Sequence, residues 1–220
     1  MKRVSLLSQV NKGLVERLSA LCAFSALIMF VSVAHAADDA TKKTEARAIF
    51  AGGCFWCMEA PFDKLEGVTA TFSGYTGGHT QAPNYRSVSS GRSGHYEAVE
   101  VRYDPTKVGY AKLLEVFWHN IDPLDAKGQF CDKGSQYLSA IFYTDTAQLE
   151  AAQKSLAALQ KSGELNGEIA TKVLPAEVFY PAEEYHQDYY KKNPLRYKFY
   201  RSGCGRDARL HALWGEKAGH

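Results

Sequence analysis

The chain has 220 residues, 45% of them hydrophobic and 12% aromatic, with 26 basic and 24 acidic side chains. This is ordinary globular composition with no repeat or low-complexity tract, enough for one domain with a substantial core. The formal charge of +2 resides in the first 36 residues. Without them 22 basic side chains face 23 acidic ones, which gives no electrostatic reason to expect nucleic acid or an anionic membrane surface as a partner.

Residues 1–36 read as a secretory signal peptide. Lys2, Arg3, Lys12 and Arg17 form a basic leader, residues 18–33 an apolar stretch, and Ala34-His35-Ala36 a small-x-small cleavage site. Left uncleaved, the stretch would serve as a membrane anchor. Cys22 does not signal a lipoprotein, because Leu21 before it is too bulky. The domain is expected to be periplasmic or secreted, with no membrane association once the leader is removed. Residues 37–46 are polar and read as a flexible mature N-terminus.

Residues 46–51 read as a buried strand running into the Gly52-Gly53 turn, and residues 54–65 as a helix stopped by Gly67. Residues 68–73 alternate as a half-buried strand does, and 74–94 form a long Gly/Ser/Asn/Pro-rich loop of the kind that is usually functional or disordered. Residues 96–103 are the clearest strand, with Glu97, Val99, Val101 and Tyr103 on one face and Glu100 and Arg102 on the other.

Residues 110–119 form an amphipathic helix burying Leu113, Leu114, Phe117 and Trp118. A loop over 121–135 and a strand over 137–143 follow. Asp145 with Gln148 opens a helix through Leu159 that Gly163 ends. A strand at 172–174 and a short helix at 182–191 are expected, and 193–220 shows little periodicity. The fold class is therefore α+β, a two-layer α/β sandwich with a long irregular C-terminal segment. The catalytic domain is assigned to 47–200, and 201–220 to a tail carrying a candidate resolving cysteine.

Four cysteines follow the leader: Cys54, Cys57, Cys131 and Cys204. In an exported protein they would ordinarily form two structural disulfides. Cys54-x-x-Cys57 has zinc-knuckle spacing, but Cys131 and Cys204 are isolated and supply no second knuckle, so no metal is expected. Position favours a reactive role for Cys54. It follows a strand and a double glycine and opens a helix, where backbone N–H groups and the helix dipole favour a thiolate. Phe55 and Trp56 cannot both point into one core from a helix start. At least one should line a pocket, where a flat apolar wall suits a methyl or thioether group. His79, His95 and His186 have no forced role and are expected at the surface.

Gly53-Cys54-Phe55-Trp56 resembles the active-site signature of the type A peptide-methionine (S)-sulfoxide reductases. The similarity continues through residues 73–78 (Ser-Gly-Tyr-Thr-Gly-Gly), 84–86 (Asn-Tyr-Arg), 94–99 (Gly-His-Tyr-Glu-Ala-Val), 103–105 (Tyr-Asp-Pro) and 132–137 (Asp-Lys-Gly-Ser-Gln-Tyr), in the family's order. The resemblance implies that the Cys54 thiolate attacks the sulfoxide sulfur, methionine leaves, and a Cys54 sulfenic acid remains. It makes Glu97 the proton donor to the sulfoxide oxygen, Tyr85 and Tyr137 its hydroxyl donors, Asp132 an acidic neighbour, and Phe55 and Trp56 the cradle of the methyl group. The strand supports Glu97 independently: a carboxyl sharing a face with Val99 and Val101 is desolvated and tends to stay protonated near neutral pH.

The implied activity is reduction of the S epimer of methionine sulfoxide, in oxidised proteins and peptides and as the free amino acid, as repair of oxidative damage. No bound cofactor is expected. A sulfenic acid is recycled through an intramolecular disulfide that a thioredoxin-like protein or another dithiol reduces. The resolving cysteine is open among Cys204, Cys131 and Cys57. Cys204 stands first, because C-terminal resolving cysteines are familiar in the family.

Two other classes compete. A thioredoxin-like disulfide oxidoreductase would use Cys54-Phe55-Trp56-Cys57 as its whole redox couple, leaving Glu97, Tyr85 and Tyr137 unexplained. A disulfide-stabilised binding domain would carry two stable disulfides and no free thiol.

Overall fold

The computed structural model describes residues 45–219; the signal-peptide reading and the flexible segment up to residue 44 lie outside them. The described residues form eight strands: β1 (Ala46–Gly52), β2 (Val68–Thr76), β3 (Tyr96–Tyr103), β4 (Gly128–Gln129), β5 (Asp132–Lys133), β6 (Ser139–Tyr143), β7 (Lys172–Pro175) and β8 (Tyr180–Pro181). The helices are α1 (Phe55–Asp63), α2 (Tyr85–Ser89), α3 (Tyr110–Trp118), α4 (Thr146–Ser162), α5 (Tyr189–Lys192), α6 (Pro194–Gly203) and α7 (Arg206–Trp214). Six strands form one sheet in the order β7-β6-β1-β3-β2-β8, and β4 pairs with β5 in a small separate hairpin. All pairs are antiparallel except β6 with β7. Ala46, where the flexible segment and the first strand read from the sequence meet, pairs with Tyr103 and belongs to the strand.

The strand periodicity explains the layering. Ala48 and Phe50 of β1 and Val99, Val101 and Tyr103 of β3 join the main core with Phe55, Met58 and Phe62 of α1, Leu113, Leu114 and Phe117 of α3, and Leu210 and Trp214 of α7. The alternate residues Ile49, Ala51 and Ala98 face a smaller cluster with Tyr96, Ala140 and Phe142. Helices thus cover one face, and the α+β sandwich expected from the sequence is what forms. Glu97 follows the parity of Val99 and so points toward the helical layer.

Several segments differ from expectation. The loop read over 74–94 holds the last turn of β2 and the short α2, whose Asn84 cap exchanges hydrogen bonds with Ser87. Tyr137 ends a 3-10 turn over Ser135–Tyr137 rather than opening β6. The helix expected at 182–191 splits into a 3-10 turn at Glu184–His186 and α5, because Asp188 between them is left-handed, at φ 53°. The C-terminal segment is not irregular but helical, in α6 and α7. The buried stripe of α7 is Arg206, Leu210 and Trp214, and the only fully buried residue of α6 is Arg201. A search for apolar periodicity misses a stripe that opens on arginine.

Candidate active site

Cys54 is the N-cap of α1, where β1 meets the helix, and only 6% of it is exposed. Gly53 makes the turn at φ 82°, and a Cβ there would lie 2.6 Å from the Gln129 side chain. The backbone therefore runs close under the β4–β5 hairpin, which carries Asp132. Cys57, one turn along, is buried as well, and its N–H donates to the Cys54 carbonyl at 3.0 Å. Each thiol bears on the protonation of the other.

The electrostatics of the pair correct one expectation. Burial pushes the Cys54 thiol well up, and the hydrogen bond to Cys57 and the nearby carboxyls of Glu97 and Asp132 add to this. Cys57 is lowered to about 7, first by accepting from Cys54 and then by the guanidinium groups of Arg206 and Arg201. Within the pair, burial disfavours charge on Cys54, and the two guanidinium groups favour it on Cys57. Desolvation outweighs the helix N-terminus at the first sulfur.

Glu97 is 2% exposed, and its Oε2 accepts the Phe55 N–H at 3.1 Å. Burial raises its pKa to about 8, so it is protonated at neutral pH, as its strand face led one to expect. Tyr85 enters from α2 and Tyr137 from the 3-10 turn. Burial raises both hydroxyls, Tyr85 to about 12, and both respond to Glu97, Cys54 and Asp132. Five predicted side chains from five separate segments therefore converge. The turn bearing Tyr137 is tied to the α2 segment by Gln136 Nε2 donating to the Ser89 carbonyl at 3.1 Å.

The two aromatics divide as their adjacency requires. Phe55 is 1% exposed and belongs to the core, whereas Trp56 is half-buried and faces the site. The Trp56 indole stacks on Tyr189 of α5 with centroids 3.7 Å apart and planes at 6°, meets Tyr200 of α6 edge-on, and donates from Nε1 to His186 Nδ1 at 3.1 Å.

Asp132 Oδ2 accepts the Tyr200 hydroxyl at 2.5 Å, a bond that opposes the upward push of burial on this carboxyl. The neighbouring Cys131 forms a disulfide with Cys204, which caps α6. Cys131 is exposed and Cys204 half-buried, so the cysteines isolated in sequence are joined in space, beside the Asp132 carboxylate. Of the three candidate resolvers, Cys131 and Cys204 are joined to each other, and Cys57 is the free thiol one helical turn from Cys54.

Sequence reasoning missed several residues. Tyr200 donates to Asp132, and its hydroxyl is raised by burial and by the neighbouring Cys54 and Asp132. Arg206, 1% exposed, donates from Nη2 to the carbonyls of Gly52 at 3.0 Å and Asn120 at 2.8 Å, and its guanidinium lies 4.4 Å from the Phe130 ring centroid. Nothing in the local sequence separates either from a surface residue. His95 and His186, expected at the surface, are both buried; His95 holds the Gly78 N–H and contacts the Thr80 carbonyl.

A buried thiol pair, a protonated carboxyl over the first thiol's helix and a ring of hydroxyls define a thiol-dependent oxidoreductase for a polar oxygen on an apolar centre. The comparisons with known proteins narrow this class. The family model for peptide methionine sulfoxide reductase matches residues 46–218. The chain is 51% identical over 174 residues to the peptide methionine sulfoxide reductase MsrA of Listeria monocytogenes serotype 4b, covering 79% of this chain and 98% of the relative. It is 53% identical over 176 residues to MsrA 2 of Caulobacter vibrioides, covering 80% and 88%. Among solved structures it is similar to reduced Mxr1 from Saccharomyces cerevisiae (TM-score 0.64, 32% identity, 68% and 86% of the two chains). Methionine sulfoxide reductase A of Corynebacterium diphtheriae matches with TM-score 0.62 and 34% identity, over 70% and 78%. The chain belongs to the type A peptide methionine sulfoxide reductase family, and it is an enzyme that reduces methionine sulfoxide.

Proposed function

We propose that Cys54 reduces the S epimer of methionine sulfoxide, in proteins and as the free amino acid, with Cys57 as its immediate resolving partner and Cys131–Cys204 as the outer exit for the oxidation. The observation that carries this is the contact of the two buried thiols beneath a protonated Glu97. The sulfoxide methyl group lies against Trp56, with Phe55 packed behind it in the core, and the oxygen takes a proton from Glu97 and hydrogen bonds from Tyr85 and Tyr137. Asp132, held by Tyr200, borders the substrate.

The Cys54 proton passes to the Cys57 thiolate. Cys54 sulfur then attacks the sulfoxide sulfur as Glu97 protonates the oxygen. The methionine S–O bond and the transient Cys54–methionine S–S bond break as the oxygen passes to Cys54, so methionine leaves and a Cys54 sulfenic acid remains. Cys57 attacks the Cys54 sulfur and expels the oxygen as water, forming a Cys54–Cys57 disulfide. A thiol whose pKa lies near ambient pH is the best attacker in such a step, which favours Cys57 at about 7. Reduced Cys131 and Cys204 then exchange with that disulfide, restoring both inner thiols and becoming the disulfide seen here. Arg201 and Arg206, on either side of Cys204 in sequence, act on Cys57, and Tyr200 neighbours Cys54, which supports a short path between the pairs. An external thioredoxin-like dithiol reduces the exposed Cys131–Cys204 bond.

The basic leader, apolar stretch and Ala34-His35-Ala36 site support export to the periplasm or medium, where this work is repair of oxidised proteins. No helix among the described residues is long and apolar enough to cross a membrane.

The test uses the full chain with dithiothreitol and the separate S and R epimers of a methionine-sulfoxide peptide. Turnover of the S epimer alone, abolished in Cys54→Ser, is expected. Equal use of the R epimer, or activity surviving in Cys54→Ser, overturns the reading.

A further inference from the structure

His186 is the side chain common to three of the predicted site residues. It is 1% exposed and lies in the 3-10 turn Glu184–His186. Its ring centroid is 4.9 Å from Phe55, 4.6 Å from Tyr85 and 5.7 Å from Trp56, with Tyr185 at 4.2 Å on another side. These rings come from α1, from α2 and from the turn itself, so the imidazole ties three segments together. It is the hydrogen-bond acceptor of the Trp56 indole. The mechanism above gives it no chemical step.

We propose that His186, in its neutral form with the proton on Nε2, is the positioning residue that holds the Trp56 indole upright as a wall for the sulfoxide methyl group, and that protonating it releases that wall. An indole N–H has no lone pair, so the bond to Nδ1 requires an unprotonated Nδ1. An imidazolium would set two N–H donors against each other at 3.1 Å.

The surroundings favour the neutral form. Nε2 is buried and has no hydrogen-bond partner. Among the described residues, the charged group facing the ring is Glu183, whose Oε2 is 3.9 Å from Nε2. Glu183 is already engaged, Oε2 by the Tyr75 hydroxyl and Oε1 by the Tyr85 N–H, both at 2.8 Å. The remaining titratable neighbours, Tyr85 and Tyr185, have pKa values raised by burial and stay neutral. Burial lowers the imidazole below the ordinary histidine value, and Glu183 only partly offsets this. The wall is therefore intact at neutral pH and lost in acid. Tyr189 backs the far face of the indole but offers it no directional bond.

The inference rests on reading Trp56 as the substrate wall, and the experiment separates the two. In a Cys54→Ser background of the full chain, which binds substrate without consuming it, the Kd of an S-methionine-sulfoxide peptide is measured from about pH 7.5 to pH 5. The Trp56 indole N–H resonance is followed over the same range. One hydrogen bond supports an expected weakening of about tenfold in acid, with the indole resonance moving upfield on the same titration. His186→Phe, which keeps the ring but not the acceptor, is expected to bind about tenfold more weakly at pH 7.5 and to lose the acid dependence. His186→Asn, whose Oδ1 restores an acceptor near the Nδ1 position, is expected to recover binding to within about threefold of the parent and to be pH-independent.

Unchanged binding in His186→Phe, or no rescue by His186→Asn, overturns the proposal. If His186→Phe does not fold, a flat parent titration or a pH-insensitive indole resonance overturns it instead. If Trp56→Phe binds as tightly as the parent, the wall reading itself fails. If Trp56→Phe weakens binding while His186→Phe does not, only the role of His186 fails.

Discussion

The two cysteine pairs occupy opposite environments. Cys54 and Cys57 are buried thiols at the start of a helix anchored in the main core, while Cys131 and Cys204 form a disulfide between the turn of the β4–β5 hairpin and the junction of two C-terminal helices, with Cys131 at the surface. A buried thiol reacts only with what its pocket admits. An exposed disulfide is open to any dithiol of sufficient reducing power. The contrast teaches that specificity and recycling are assigned to different sulfurs, so substitutions should separate them.

The sharpest break is at the first sulfur. Cys54→Ser is expected to lower S-epimer reduction by at least about a thousandfold, because no other group replaces the nucleophile. Next, Cys57→Ser should still yield one methionine per enzyme, but slow the steady state by about a hundredfold and accumulate a dimedone-reactive Cys54 sulfenic acid. Cys204→Ser should do the opposite. It should keep turnover with dithiothreitol within about threefold and lose about tenfold with a protein dithiol, which cannot enter the pocket. If Cys204→Ser instead accumulates sulfenic acid and Cys57→Ser does not, the roles of the pairs are exchanged.

Glu97→Gln is expected to slow sulfenic-acid formation by about a hundredfold while leaving peptide Kd within about twofold. Wild-type single-turnover rates should fall as pH rises through about 8, where Glu97 loses its proton, and the variant should lack that limb. The same group carries a stability cost. Its folded pKa, about 8, lies above the ordinary carboxyl value of 4.5, so its favourable contribution is complete below about 4.5 and lost as pH rises through about 8. Glu97→Gln should therefore melt higher than the parent at pH 9, a gain that shrinks toward pH 5. The smallest effect is expected at Tyr200→Phe, which frees Asp132 and should cost about 1 kcal/mol of stability and a few-fold in rate.

Much of the fold was legible because its sheet is built from residues of one character. The alternation in 96–103 put Glu97 on the core face before any coordinates, and the Gly52-Gly53 turn marked the start of α1. The C-terminal helices were not legible. Beside the apolar Leu210 and Trp214 they bury Arg201 and Arg206 and half-bury Tyr200, which look like surface residues until their partners, the Gly52 and Asn120 carbonyls, Phe130 and Asp132, are brought in from far along the chain. For the same reason His186 passed as an exposed histidine. Its burial depends on Phe55, Trp56 and Tyr85, which lie about 100 residues or more away in sequence. The pairing of Cys131 with Cys204, 73 residues apart, likewise has no local signature. Phe55 and Trp56 are the instructive middle case: adjacency alone showed that one must leave the core, and the structure shows it is Trp56.

The most direct test of the account is rapid-quench disulfide mapping of fully reduced enzyme mixed with one equivalent of S-sulfoxide peptide and no reductant. The account predicts stoichiometric methionine, a Cys54–Cys57 disulfide at early times, and its replacement by Cys131–Cys204 with both inner thiols restored. Methionine formed while Cys54 stays a free thiol throughout, or an outer disulfide that appears without any oxidised Cys54 before it, would contradict it.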